Sequence, residues 1–227
     1  MKFVIDNNLL RQARSVLSKR KELYWIVGGA GSGKTTISRV LAKKLNIPLY
    51  DMDKHIYGDY HTRFTQERHP VNKAWSMAEN SLAWMLDMSW EKFNNFNQAA
   101  LPEYIDLLVE DIKEMEVDTG VLIDGGISNP ALIAQVIPGD QIVCLVASGQ
   151  SSVEVWEANE ERKAMKKMIY RLPEPEKAWQ KFLEFDRRIT RMILEECELN
   201  DIPVCVRNGT EMVEELSERV VQILGLQ

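Results

Sequence analysis

The sequence predicts a single three-layer α/β/α domain on a five-stranded parallel sheet, with a helical insert and a helical lid-like segment. Three observations carry the prediction. Short apolar runs of strand length alternate with segments of helical periodicity, the pattern of a parallel sheet covered on both faces. The first run passes directly into a glycine-rich loop and an amphipathic helix. Right-handed crossovers then gather the strand ends on one rim, where ligands bind in open α/β sheets.

In chain order, residues 7–20 place Leu9, Leu10, Ala13, Val16 and Leu17 at helical spacing. Residues 24–27, "YWIV", read as the first buried strand, followed by the loop and a helix through Leu45. "IPLYDMD" (47–53) reads as a second strand ending in two aspartates, and "GVLIDGG" (120–126) as a third closing on Asp124. "DQIVCLVAS" (140–148) and "IPVCVRNG" (202–209) supply the fourth and fifth. Helical patterns at 129–136, after Ser148 and at 211–224 separate them. On this reading Gly28, Asp51, Asp53, Asp124, Ser148 and Asn208 share the rim.

Two segments depart from simple alternation. Residues 58–118 are too long for one crossover and hold Trp75, Trp84 and Trp90 with Met77, Met85, Met88, Phe93 and Phe96. Trp75, Leu82, Met85 and Leu86 fall on one helical face, and Met77, Trp84 and Met88 on another. A helix apolar on most sides is buried or lines a pocket. The readings are an insert with its own small core, a substrate pocket, or an apolar face that makes a homodimer. Residues 150–190 gather Arg162, Lys163, Lys166, Lys167 and Arg171, then a proline-marked break, then Arg187, Arg188 and Arg191. Such charges form either a solvated face or a lid whose arginines, Arg162 and Arg171 first among them, close on phosphates during transfer.

Composition narrows the class. With 227 residues, 45% hydrophobic and 27% charged, the chain suits one ordinary α/β domain. Its net charge of −6 argues against a nucleic-acid binder. The stretch "MKFVIDNNLLRQARSV" has no continuous apolar region, and the run "IVCLVA" is strand-sized. Neither a signal peptide nor a membrane span is therefore expected. Cys144, Cys197 and Cys205 form no C-x-x-C pair and read as reduced thiols of a cytoplasmic protein.

The loop carries the chemistry. "GGAGSGKTT" runs Gly28, Gly29, Ala30, Gly31, Ser32, Gly33, Lys34, Thr35, Thr36. It satisfies G-x-x-x-x-G-K-[ST] in the strand–loop–helix setting that motif requires. Glycines let backbone N–H groups curl around phosphate oxygens, and the helix N-terminus adds positive potential there. Lys34 is placed for the β- and γ-phosphates of ATP, and the Thr35 hydroxyl for Mg²⁺.

"GGAGSGKTT" with "YDMD" and "VLIDGG" resembles the P-loop small-molecule kinases, the group of nucleoside monophosphate, shikimate and gluconate kinases. The resemblance implies a P-loop NTPase fold, ATP and Mg²⁺ as cofactors, and a small-molecule phosphate acceptor as partner. "VLIDGG" looks like the third-strand motif of adenylate kinases, but continues Gly126, Ile127, Ser128 instead of Phe-Pro-Arg. The missing arginine speaks against ordinary adenylate kinase activity. "YDMD" is similar to the Asp-x-Asp of shikimate kinase-like proteins, which implies that Asp53 faces the acceptor hydroxyl. Asp124, through water, joins Thr35 at Mg²⁺, with Asp51 assisting, and Asn208 marks where related kinases bring backbone close to adenine.

Alternatives remain on the sequence alone. Asp51, Asp53, His55, Asp59 and His61 lie within eleven residues and offer transition-metal ligands, though at no familiar zinc spacing. A regulatory nucleotide-binding switch, or a kinase-like protein without catalysis, would use the same loop. Absence of N-K-x-D disfavours a GTPase. For the acceptor, the Trp- and Met-rich insert suggests an apolar moiety, whereas Arg63, Arg68 and Lys73 suggest an anionic one.

Overall fold

The computed structural model describes residues 2–226 except 21, 116–119, 127, 148, 150 and 159, together with all but the side chain of residue 161. Ser148 and Ile127 therefore lie outside the described residues. The elements run α1 (Asn7–Leu17), β1 (Leu23–Val27), α2 (Lys34–Leu45), β2 (Leu49–Asp51), α3 (Met52–Ile56), α4 (Tyr60–Arg63), α5 (Pro70–Ser76), α6 (Ser81–Leu86) and α7 (Trp90–Glu114). There follow β3 (Val121–Asp124), α8 (Pro130–Ile133), β4 (Ile142–Ala147), α9 (Ser152–Glu157), α10 (Glu160–Ile169), α11 (Pro175–Leu199), β5 (Val204–Arg207) and α12 (Val213–Ile223).

All five strands pair in parallel, in the order β2-β3-β1-β4-β5. Burial explains the composition of the central ones: β3 is buried throughout, and Trp25, Ile26 and Val27 of β1 are at most 1% exposed. Apolar layers cover both faces. On one, α1, α7 and the insert pack over Trp25, Val27 and Ile123; on the other, α2 and α12 pack over Ile26, Leu122 and Val143. Leu86, Ile169, Trp179 and Leu183 form a smaller cluster joining α6, α10 and α11.

The structure revises two expectations about the elements. The second strand stops at Asp51 instead of running to Asp53, because Asp51 caps α3, its carboxylate accepting from the Lys54 N–H at 3.0 Å. Asp53 thus stands in the first turn of a helix. The insert does not keep a separate core: Trp75, Met88, Phe93 and Phe96 join the main one beside β1 and β3. Met77, expected on the face of Met88, is exposed.

What fixes the insert is a cap supplied in trans. Helix α5 begins at His69 with no side-chain cap of its own. Glu103, on α7 and 2% exposed, accepts from the N–H groups of Val71 (3.0 Å) and Asn72 (2.8 Å) and from Asn72 Nδ2 (2.9 Å). Burial drives its pKa up to about 7 against the pull of those donors. Glu103→Ala leaves buried donors unsatisfied and is expected to cost about 3 kcal/mol, read by denaturant unfolding. Because its folded pKa lies above its unfolded one, Glu103's contribution is complete in acid and is lost as pH rises through about 7. The wild-type advantage in Tm over Glu103→Gln should accordingly shrink between mildly acidic and mildly alkaline pH.

Candidate active site

The loop after β1 is shaped by backbone that few side chains tolerate. Gly31 has φ +83°, and a Cβ there would lie 2.7 Å from Val155 Cγ2 on α9. Gly33, in the left-handed region, caps α2 without any side-chain hydrogen bond. The first N–H groups of α2 are thus left for a ligand at the mouth of the loop, an anion site by helix geometry alone. Gly28, Gly29, Ala30 and Ser32 complete the loop, with Ser32 N–H bonded to the Gly29 carbonyl at 3.3 Å. The Ser32 hydroxyl is buried and without a partner. Lys34 opens α2, Thr35 and Thr36 following it in the first turn.

Across the rim, β3 ends at Asp124, in register with Ile26 of β1 and Asp51 of β2. Asp124 is 1% exposed and hydrogen-bonded by Thr35, while its Oδ1 has no partner. Burial raises its pKa, opposed by the Thr35 bond and by Lys34. A threonine hydroxyl beside one buried carboxylate with an open lone pair, and a second carboxylate on the adjacent strand, are hard oxygen donors that fit Mg²⁺. Among the described residues no three His, Cys, Asp or Glu side chains form a metal cage. Mg²⁺ does not require one, since it keeps waters and phosphate oxygens in its shell.

Asp53 meets this group from α3. Its Oδ1 accepts the Gly126 N–H at 3.1 Å, and Gly125 and Gly126, with φ +70° and +74°, bring the chain against it. Trp25 Nε1 holds the same turn through the Gly125 carbonyl at 3.2 Å. A Cβ on Gly126 would lie 2.4 Å from Met52 Cβ. Gly126→Ala is therefore expected to cost about 2 kcal/mol or more, from the left-handed backbone plus the clash. Gly209→Ala, where a Cβ meets nothing within 4 Å, should change Tm little. Desolvation raises the Asp53 pKa, Lys34 opposes it, and Asp51 adds to it. A partly desolvated carboxylate held beside an ammonium is a group able to accept a proton from a hydroxyl.

Lys34 and Asp53 share the floor of a cavity of about 240 Å³. Its walls come from α3, the insert and α11, with Ile56, Trp75, Met85, Phe96, Leu101, Tyr104, Ile189 and Ile193 among them. Gly29 and Ala30 also border a second cavity of about 510 Å³, between the end of β4, α9 and α11.

The arginines sort differently from the sequence expectation. Arg162 reaches the loop: its Nη1 donates to the Val155 carbonyl at 3.0 Å and lies 3.4 Å from where a Gly31 Cβ would stand. Arg171 is not brought there. It sits exposed beyond the far end of α10, nine residues or about 14 Å of helix rise from Arg162. Asn208 is exposed, its N–H turned to Glu211 at 3.2 Å. Its neighbour Arg207, which the sequence analysis passed over, extends Nη1 to 3.4 Å from the Gly33 Cβ position. The signal was available, since Arg207 closes β5 on the same rim. Thr190 of α11 also packs on Gly29.

Nor do the other candidates converge on the floor. His55 bonds Asp59 at 3.0 Å and stacks on Tyr50, while His61 leans on Trp75, so the His/Asp run forms no common metal site. Arg63 is bound to Asp111 (2.7 Å), Glu110 and Asp59, and Arg68 to Asp106. No described helix is long and apolar enough to cross a membrane.

Comparison with known proteins bears on the loop first, for the profile of the shikimate kinase family matches residues 30–66. The chain resembles P-loop small-molecule kinases there. That stretch holds Lys34, Thr35, Asp51 and Asp53 but not Gly28, Gly29, Asp124 or Arg162, so it covers the loop from Ala30 onward and the elements from α2 to α4 and leaves the rest of the rim to the geometry above. A comparison with curated proteins returns no match. Solved structures similar to it include a Thermus thermophilus protein, 17% identical over 92% of this chain and 99% of that one, TM-score 0.49. Shikimate kinase from Acinetobacter baumannii, in complex with shikimate, is 16% identical over 93% and 96%, TM-score 0.44. Shikimate kinase from Aquifex aeolicus is 18% identical over 89% and 96%, TM-score 0.41.

Proposed function

We propose that the protein is an ATP- and Mg²⁺-dependent phosphotransferase acting on the hydroxyl of a small molecule. The observation that carries this is the meeting of Lys34 and Asp53 on the floor of one cavity, with the phosphate-loop glycines at its edge. A phosphate-holding cation and a proton-accepting carboxylate are the two groups a hydroxyl phosphorylation needs side by side.

ATP would supply the phosphoryl group, and Thr35 with Asp124 and Asp51 would hold Mg²⁺, which would supply charge neutralisation at the phosphates. The loop N–H groups and the start of α2 hold the phosphate chain, the base lying toward the β5 end by Asn208. Lys34 and Arg162 stabilise charge on the transferred group. Asp53, with Oδ1 fixed by Gly126, keeps Oδ2 to orient the acceptor hydroxyl and take its proton. Helices α9 and α11 over Gly31 and Gly29 exclude water from the phosphates.

The test is Mg·ATP consumption by the full chain against pooled nucleosides, nucleotides, sugars, sugar acids and aminoglycosides. One pool should drive turnover, and dividing it names the acceptor. ATP binding with no acceptor-dependent turnover, or hydrolysis stimulated only by a protein partner, would reject the phosphotransferase in favour of a nucleotide-controlled switch.

A further inference from the structure

The cavity above Asp53 is unlike an anion site. Among its described lining, Lys34 and Asp53 are the only groups ordinarily charged at neutral pH. Lys34 is committed to phosphate on the reading above, which leaves a carboxylate, with Asp51 and Asp124 behind it, to face the bound molecule. Two basic side chains of the insert are held elsewhere, Arg63 by three acidic groups and Arg68 by Asp106, and Lys73 is not part of the cavity lining. An anionic acceptor would shed its water here without gaining a counter-ion of its own, which is unfavourable by general electrostatics.

What the walls offer is aromatic and aliphatic surface. Trp75, Phe96 and Tyr104 approach from the insert, Met85 from α6 and Ile189 from α11. Two donors in that wall, Trp75 Nε1 and Asn97 Nδ2, are buried without a partner, and buried donors in native proteins are ordinarily matched. A volume of about 240 Å³ is that of roughly eight waters at ~30 Å³ each, room for one ring and its substituents. It is below the usual range of drug-sized pockets.

We infer that the acceptor is an uncharged, one-ring alcohol with an apolar or aromatic face and a hydrogen-bond acceptor opposite its reactive hydroxyl. The face lies on Trp75 and Phe96, the hydroxyl meets Asp53, and Asn97 receives the acceptor atom. This rests on the phosphotransferase reading for the role of the hydroxyl, whereas the charge preference needs only that Lys34 holds the phosphate of a bound nucleotide, with or without transfer.

The experiment uses the full chain with Mg²⁺ and a non-hydrolysable ATP analogue, and a fragment library of ring alcohols in matched pairs. Each neutral compound is paired with a counterpart bearing a carboxylate or phosphate, and binding is read by ligand-observed NMR. Cavity binders are defined as those lost in both Met85→Trp and Ile189→Trp, two variants that fill the space from different helices, with folding checked by thermal unfolding. The expected result is that cavity binders are neutral and that adding the anion weakens them about tenfold or more, 1.4 kcal/mol or above. Equal or tighter binding of the anionic members overturns the inference, as does a library with no cavity binder. Phosphorylation of the best neutral binder is then assayed with ATP itself. Binding without product would sink the phosphotransferase reading and leave the charge preference standing.

Discussion

Lys34→Ala should reduce acceptor-dependent turnover by about 10²–10³-fold, the scale seen when one preorganised charge-stabilising group is removed from a transition state. Lys34 lies at the first position of α2, against Gly125 and beside the carboxylates of Asp53 and Asp124. On the proposed phosphotransferase reading it has two tasks, phosphate charge and carboxylate charge, and its removal would damage both. Without it the two carboxyl groups lose a counter-charge that opposes their raised pKa values, so they hold protons to higher pH. The phosphates meanwhile lose a direct contact. Lys34→Arg should not restore full activity, because a planar, forked guanidinium does not reproduce the compact point charge of an ammonium. The discriminating measurement is a pair: steady-state kinetics for turnover and calorimetry for ATP affinity. A variant that binds ATP as well as wild type and turns over at more than a tenth of its rate would remove Lys34 from the chemistry.

The parts legible in the sequence are those whose physics is local. Five apolar runs and a loop that must be glycine-rich to hold phosphate placed every strand and the start of α2 within a few residues. The cap at Asp51 was missed because an aspartate serves equally to end a strand and to start a helix. Its effect is material, since it turns Asp53 off the sheet and onto α3, where Gly126 can bind it. The insert's tryptophans were ambiguous for a different reason. Burial in the main core and lining of a cavity demand the same residues, and Trp75 does both. Arginines were the hardest, because distance along a helix decides which of them arrives. Arg162 lies within the first turn of α10 and reaches the loop, while Arg171 lies past its far end. Arg207 escaped notice for want of a motif, although its place at the end of β5 was in the strand assignment.

Asp53→Asn should separate catalysis from stability in opposite directions. The amide keeps the shape and can still accept the Gly126 N–H through its oxygen, so the turn at Gly125 and Gly126 is preserved. What the proposed mechanism loses is the ability to take a proton from the acceptor, a contribution of about 10²–10⁴-fold in rate. Because hydroxyl positioning survives through the amide, kcat should fall while KM stays close to wild type. Stability moves the other way. Desolvation and the neighbouring Asp51 raise the Asp53 pKa, so the ionised form is held in the fold at a cost. For a carboxyl whose folded pKa is raised, stability is fully present in acid and lost as pH rises through that value. Asparagine stays neutral throughout. Its Tm should match wild type in acid and exceed it at neutral pH, the gap opening as Asp53 ionises. Kinetics and thermal unfolding across pH on one variant check both limbs. Unchanged kcat would remove Asp53 from proton transfer, and an equal Tm at neutral pH would mean that Lys34 compensates its charge fully.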